Sequence, residues 1–259
     1  MTKKIKVYMG LPSMGTRSDV QVHSIRAMER EYGDKVEFVY PENHVRRMFH
    51  DFARNGIVED FLKTDCDVLF FLDSDVSPPP EVMDILVDHG DKWLVAGAPY
   101  PLWLKGESPT RLVKMAVWNR DEAGRFILAP CPRKGTGWVD CIATGCIFIK
   151  RRVLEEMEEP YFEFKFKPHN RDLAEGEDIG FGRKMNELGY KFFIDYGKVC
   201  RHYKTVDLLE VNDYAITMSN DKILSYDAEI RPKVEALEAQ LRAKMGAQAN
   251  KSNLIIPTR

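Results

Sequence analysis

The chain has 259 residues, of which 44% are hydrophobic and 30% charged, with a formal net charge of -2. That length holds one large α/β domain with an appendage, or at most two small domains, and the apolar share can bury a sizeable core. The near-neutral charge gives no general pull toward nucleic acid or an anionic membrane, and no apolar window approaches the ~20 residues of a membrane-spanning helix.

In chain order, KIKVYMGLP is a short β-rich run closed by Gly and Pro, a first strand and its loop. SDVQVHSIRAMEREYG follows with a Ser or Asp cap, helical spacing and a terminal Gly. KVEFVYP is a second strand. HVRRMFHDFARNGIVEDFLKT reads as a helix with a break expected near Asn55-Gly56. DCDVLFFLD is a third strand, apolar throughout and so buried on both faces. PPEVMDILVDHG is a helix with proline in its first turn, and KWLVAGAPYP is a fourth strand.

The middle is less regular. A hairpin is expected around NRDEAGR, then a Gly-rich loop at KGTGWVD, then a strand running into a helix at CIFIKRRVLEEM. EGEDIGFGRKMNELGYKFFIDYG gives a loop, a helix ended by Gly189 and one more strand. Near the C-terminus, Ile230, Val234, Leu237 and Leu241 fall at helical spacing, and residues 247–259 read as a frayed tail. Alternating strands and helices predict an open, mixed and mostly parallel α/β sheet flanked by helices, with ligands at the carboxyl ends of its strands.

Five cysteines (Cys66, Cys131, Cys141, Cys146, Cys200) form an odd set with no CxxC pair. Most lie in apolar strand-like runs, which fits free thiols in a reducing compartment. The opening MTKKIKVYMG is basic, but its apolar run is too short for a signal peptide, so a soluble, cytoplasmic protein is expected. The basic clusters HVRRMF, IKRRVL and EFKFKPHNR read as solvated faces.

The chemistry-bearing residues stand at the ends of these elements. The third strand runs into Asp73-Ser74-Asp75. Two aspartates at i and i+2 on a strand point the same way and suit Mg²⁺ or Mn²⁺, or they cap the helix that follows. Glu175, Glu177 and Asp178 precede a helix, where the dipole favours acids, yet three acids in four residues exceed what one cap needs. His202 follows the last strand-like run, as Asp75 follows the third. Trp103, Trp138 and Tyr100 could stack on a sugar or base, or simply pack.

Taken together, DVLFFLDSDVSPPPEVMDIL, DCIATGCIFIKRRVLEEM, EGEDIGFGRKMNELGYKFFID and CRHY occur in the order seen in GT-A fold glycosyltransferases. The chain resembles most the short, soluble, family-2-like members of bacteria and phages, over roughly residues 5 to 205. The resemblance implies a GT-A (Rossmann-like) domain at 1–206, a helical extension at 207–246 and a tail at 247–259. It implies metal-dependent transfer of a sugar from a nucleotide-sugar, a UDP-sugar before others, to an acceptor hydroxyl. Asp73 and Asp75 would match the DxD that holds Mn²⁺ or Mg²⁺ and the nucleotide, and His202 a late metal ligand. Leu11, Pro12 and Ser13 would match the loop beside the nucleotide base, and Arg54 a basic residue near the nucleotide. Thr144, Gly145 and Trp138 would line the acceptor side. Glu177-Asp178 would match the pair whose aspartate is the general base of inverting enzymes.

One departure stands out. The family commonly carries an acidic residue soon after its second strand, where this chain has VYPENHV and only Glu42 as a stand-in. Inversion and retention therefore both stay open. Three rivals remain: a sugar-1-phosphate nucleotidyltransferase, suggested by Gly15-Thr16-Arg17; a metal-dependent nuclease or phosphoesterase, since clustered acids also build two-metal sites; and a non-catalytic binding domain. The expected partners are the nucleotide-sugar and an unidentified acceptor. The KRR and KFKPHNR segments raise DNA as a candidate acceptor, and the C-terminal helix raises a homodimer.

Overall fold

Alternating side chains of the apolar strands feed two separate cores, and this places the site. The structure, a computed structural model, describes residues 3–12, 19–41, 49–104, 112–168 and 173–204. In chain order these form β1 (Ile5–Gly10), α1 (Asp19–Tyr32), β2 (Val36–Val39), α2 (His50–Leu62), β3 (Val68–Leu72) and β4 (Val76–Ser77). A 3-10 turn (Pro80–Met83) runs into α3 (Asp84–Val87), followed by β5 (Val95–Gly97), β6 (Pro101–Leu104) and β7 (Leu112–Met115). Next come β8 (Val117–Arg120), β9 (Phe126–Leu128), β10 (Thr136–Val139), β11 (Cys141–Ile142) and β12 (Cys146–Lys150). The last are α4 (Arg151–Glu156), β13 (Lys165–Phe166), β14 (Leu173–Glu175), α5 (Glu177–Glu187), β15 (Phe192–Asp195) and β16 (Arg201–His202).

Seven strands make the central sheet, in the order β2-β1-β3-β12-β5-β15-β10. Five point one way, because only β12 and β10 run antiparallel to their neighbours. This is the mixed, mostly parallel α/β sheet expected, flanked by helices. In β3, Val68, Phe70 and Leu72 join the core under α1 and α3, with Val7, Met9, Ile25, Met28 and Ile85. Leu69 and Phe71 join the opposite core under α2, α4 and α5, with Ile57, Phe61, Val153, Phe181 and Met185. The strand is buried on both faces because a helical layer covers each.

Several expectations need correction. Helix α2 runs unbroken through Asn55-Gly56. Asn55 donates to the Phe162 carbonyl at 2.8 Å and accepts the Phe162 N–H at 3.0 Å, so it pins the helix to a neighbouring segment rather than breaking it. The Gly-rich KGTGWVD is not a loop: residues 136–139 form the edge strand β10, with Trp138 opposite Phe193 of β15. The prolines open a 3-10 turn, and the α-helix proper is only Asp84–Val87. IKRRVL is not simply a solvated face. Arg151 donates to the carbonyls of Phe61, Leu62, Thr64 and Cys66 and so caps the C-terminus of α2.

The chain divides into two compact units, Met1–Leu104 with Val113–Lys204, and Lys105–Leu112 with Thr205–Arg259. Apart from Leu112, the second unit lies outside the described residues. So do the expected C-terminal helix, the 207–246 extension, the tail, Ser13, Gly15-Thr16-Arg17 and Glu42. Among the described residues no helix is long and apolar enough to cross a membrane, and all five cysteines are free thiols.

Candidate active site

Strand β3 ends at Leu72, so Asp73-Ser74-Asp75 lies in the turn before β4 and not on the strand itself. The alternation that aims i and i+2 the same way therefore does not govern the pair. Backbone bonds fix the turn: the Asp73 N–H donates to the Gly145 carbonyl at 3.0 Å, and the Tyr203 N–H donates to the Asp75 carbonyl at 2.8 Å. The two carboxylates meet different partners.

Asp73 faces Arg54. Arg54 sits on α2 with 2% of its side chain exposed, and its Nη2 donates to Asp73 Oδ2 at 2.9 Å. Its Nε lies 3.9 Å from Glu177 Oε1. Its guanidinium carbon lies 5.2 Å from the Phe71 ring centre and 6.0 Å from that of Phe162. Burial disfavours its charge, but Asp73, Asp178 and Glu177 outweigh that and hold it firmly protonated. Arg54 Nη1 and Asp73 Oδ1 are nonetheless buried without a hydrogen-bond partner. Such orphans cost stability until another polar group completes them.

Asp75 faces His202 and Lys204. Strands β4 and β16 pair antiparallel with His202 opposite Val76, which brings the imidazole beside the preceding aspartate. His202 Nδ1 lies 2.7 Å from the Pro101 carbonyl, which can only accept. That bond places a proton on Nδ1 and turns Nε2 toward Asp75 Oδ2, 3.4 Å away. Lys204 Nζ lies 2.5 Å from the same oxygen. Burial would lift the Asp75 carboxyl, but His202 and Lys204 hold it down to about 2. A carboxylate oxygen and an imidazole nitrogen oriented by a backbone carbonyl form a donor set that fits a divalent cation such as Mn²⁺ once Nε2 gives up its proton. Among the described residues no three His, Cys, Asp or Glu side chains converge into a fuller cage.

Asp178 enters from the first turn of α5. Its Oδ1 accepts from the Thr144 N–H at 3.2 Å and from the Thr144 hydroxyl. Burial and the adjacent Glu177 raise its pKa to about 6. Glu177 moves the other way: burial would lift it, but His50, whose Nδ1 lies 3.6 Å from Oε1, and Arg54 hold it low. His50 is raised in turn, mainly by Glu177. The adjacent carboxylates are thus pushed in opposite directions.

Gly145 and Tyr100 join the halves. The Gly145 N–H donates to Tyr100 Oη at 3.1 Å, and the Tyr100 ring packs edge-on against His202 with centroids 4.9 Å apart. A Cβ on Gly145 would stand 2.7 Å from Tyr100 Oη and 2.9 Å from Asp73 Oδ2, so glycine is needed there. Of the residues singled out in the sequence, Asp73, Asp75, Arg54, Thr144, Gly145, Glu177, Asp178 and His202 thus form one connected set. Leu11 is buried in the core at the end of β1, with half-buried Pro12 after it. Trp138 lies half exposed on the edge strand β10, four strand steps from β3. There it packs edge-on against Phe193. The sequence reading missed His50 and Lys204. Lys204, two residues after a suspected ligand, had a positional signal, whereas His50 had none.

No family model matches the chain, and no curated protein matches it. Among solved structures, A197 from STIV aligns with a TM-score of 0.48 and 20% identity, over 78% of this chain and 86% of that one. GalNAc-T7 with UDP, GalNAc and Mn²⁺ aligns with a TM-score of 0.48 and 12% identity, over 79% of this chain and 44% of that one. The chain thus spans less than half of GalNAc-T7, and likeness at this level says nothing about chemistry. The class that the fold itself defines is a mixed α/β protein with a seven-stranded, mostly parallel sheet covered by helices on both faces.

Proposed function

We propose that the chain is a metal-dependent glycosyltransferase that moves a sugar from a nucleotide-sugar donor, a UDP-sugar in the first instance, to an acceptor hydroxyl. The observation that carries this reading is the state of Asp178: half-buried, anchored by Thr144 through one oxygen, raised to about 6, and joined through Thr144-Gly145 to the Asp73 turn. Because both Thr144 bonds fall on Oδ1, Oδ2 is left to take the proton of the attacking hydroxyl. Thr144 fixes the carboxylate's angle, and Arg54 offsets the negative charge around it. This arrangement favours inversion, with Asp178 as base.

The orphaned pair, Arg54 Nη1 and Asp73 Oδ1, adds support, since one is a donor and the other an acceptor. Arg54 Nε is a third atom without a partner, and a hydroxyl can satisfy a donor or an acceptor of this kind. Mn²⁺ or Mg²⁺ held by Asp75 and His202 would offset the charge that develops on the leaving diphosphate. A polyanionic acceptor such as DNA draws no support from the KRR segment. Lys150 lies over Trp93, Arg151 caps α2 and Arg152 pairs with Glu156.

The test is Asp178→Asn, which keeps shape and hydrogen bonding but cannot accept the proton. Metal-dependent UDP binding by calorimetry should persist while transfer falls about a hundredfold or more. Full transfer in the variant would remove Asp178 from the role. Phosphodiester cleavage without any sugar donor would replace the reading with a metal-dependent phosphoesterase.

A further inference from the structure

The Asp75 carboxylate already has a cation. Lys204 Nζ lies 2.5 Å from Asp75 Oδ2, the same oxygen that His202 Nε2 faces at 3.4 Å. The pairing follows from the fold: β16 lies against β4, the Tyr203 N–H closes on the Asp75 carbonyl, and the next residue passes over the carboxylate. His202 cannot turn Nε2 away, because Nδ1 is committed to the Pro101 carbonyl. Lys204 differs: its side chain is half exposed, at 51%, on a flexible four-carbon stem. Of the three groups at this point, it alone is free to leave.

We propose that Lys204 is the resident counter-cation of the metal-free site and exchanges partners as the site fills. This inference rests on the reading of Asp75 and His202 as metal ligands. Without a divalent ion, the ammonium neutralises Asp75. When a divalent ion takes Asp75 Oδ2 and His202 Nε2, the ammonium is displaced by like-charge repulsion. It then lies within a side chain's reach of the negative group brought by the donor, its diphosphate. Lys204 is therefore a competitor for the metal and a positioning residue for the metal–nucleotide complex. Metal alone should bind weakly, and metal with nucleoside diphosphate should bind cooperatively.

The experiment is a titration of the full chain with Mn²⁺, reading free ion by its EPR signal, without and then with UDP. The proteins compared are wild type, Lys204→Met, Lys204→Arg and Asp75→Ala. Lys204→Met should bind Mn²⁺ alone about three- to tenfold more tightly, since a half-exposed competing ion pair is gone. It should bind UDP in saturating Mn²⁺ about as much more weakly, whereas Lys204→Arg should stay near wild type. Unchanged Mn²⁺ affinity in Lys204→Met, with Mn²⁺ binding lost in Asp75→Ala, would overturn the exchange and leave the metal site standing. Unchanged Mn²⁺ binding in Asp75→Ala would overturn both.

Discussion

Removing the Arg54 guanidinium would leave Asp73 without its buried cation and Glu177 with only His50 beside it. Breaking such a pair from one side costs about 3–5 kcal/mol, so Arg54→Leu should unfold in urea at correspondingly lower concentration. Arg54→Lys should recover only part of this, because one ammonium cannot serve two carboxylates as a planar fork does. Asp178 gives a second prediction. A base must be ionised to act, and its pKa is raised to about 6. Transfer should therefore be full above that pH and fall about tenfold per unit below it, as a pH–rate profile would show. Which residues were legible follows the same logic. Carboxylates ending an apolar strand contradict burial and so announce themselves. Arg54 sits inside an amphipathic run and was marked only by resemblance. Lys204 and His50 act through partners more than a hundred residues away in sequence, Asp75 and Glu177, which no local pattern reveals.

At the scale of elements, close docking of α5 decides whether Asp178 reaches Thr144. A Cβ on Gly182 would stand 2.5 Å from Cys141 Sγ, and one on Gly180 would stand 2.6 Å from the Glu163 carbonyl. Gly182→Ala should push the helix off β11 at a cost of about 1–3 kcal/mol and lower transfer more than donor binding. Calorimetric melting and paired binding and rate measurements would show this. The helical elements were read well where a period was present, as in α1 and α5, and the Gly189 stop falls where expected, at φ 80. The break assigned to α2 failed because glycine there fills no steric need, while Asn55 holds the helix to Phe162. KGTGWVD was read by its glycines, yet pairing with β15 makes it an edge strand. Tertiary pairing overrode local propensity.

At the scale of the molecule, the carboxyl end of the central strand β3 collects the chemistry. Segments around Arg54, Asp73, Thr144, Asp178 and His202 are dispersed in sequence, and they meet because β3 lies between β1 and β12, with α5 and β16 closing over its end. The α/β class and the position at strand ends were legible from alternation alone. The reversed direction of β12 was not, because an apolar run such as CIFIK reads the same either way. The central claim is that Asp75 holds a metal at which a sugar nucleotide is broken. Its most direct test is nucleotide release from UDP-, GDP-, CMP- and dTDP-sugars, with Mn²⁺ and with chelator, in wild type and Asp75→Ala. Slow, metal-dependent release from one donor, absent in the variant, is the expected result. Release that survives both chelator and Asp75→Ala, or no binding of any nucleotide by calorimetry, would contradict it.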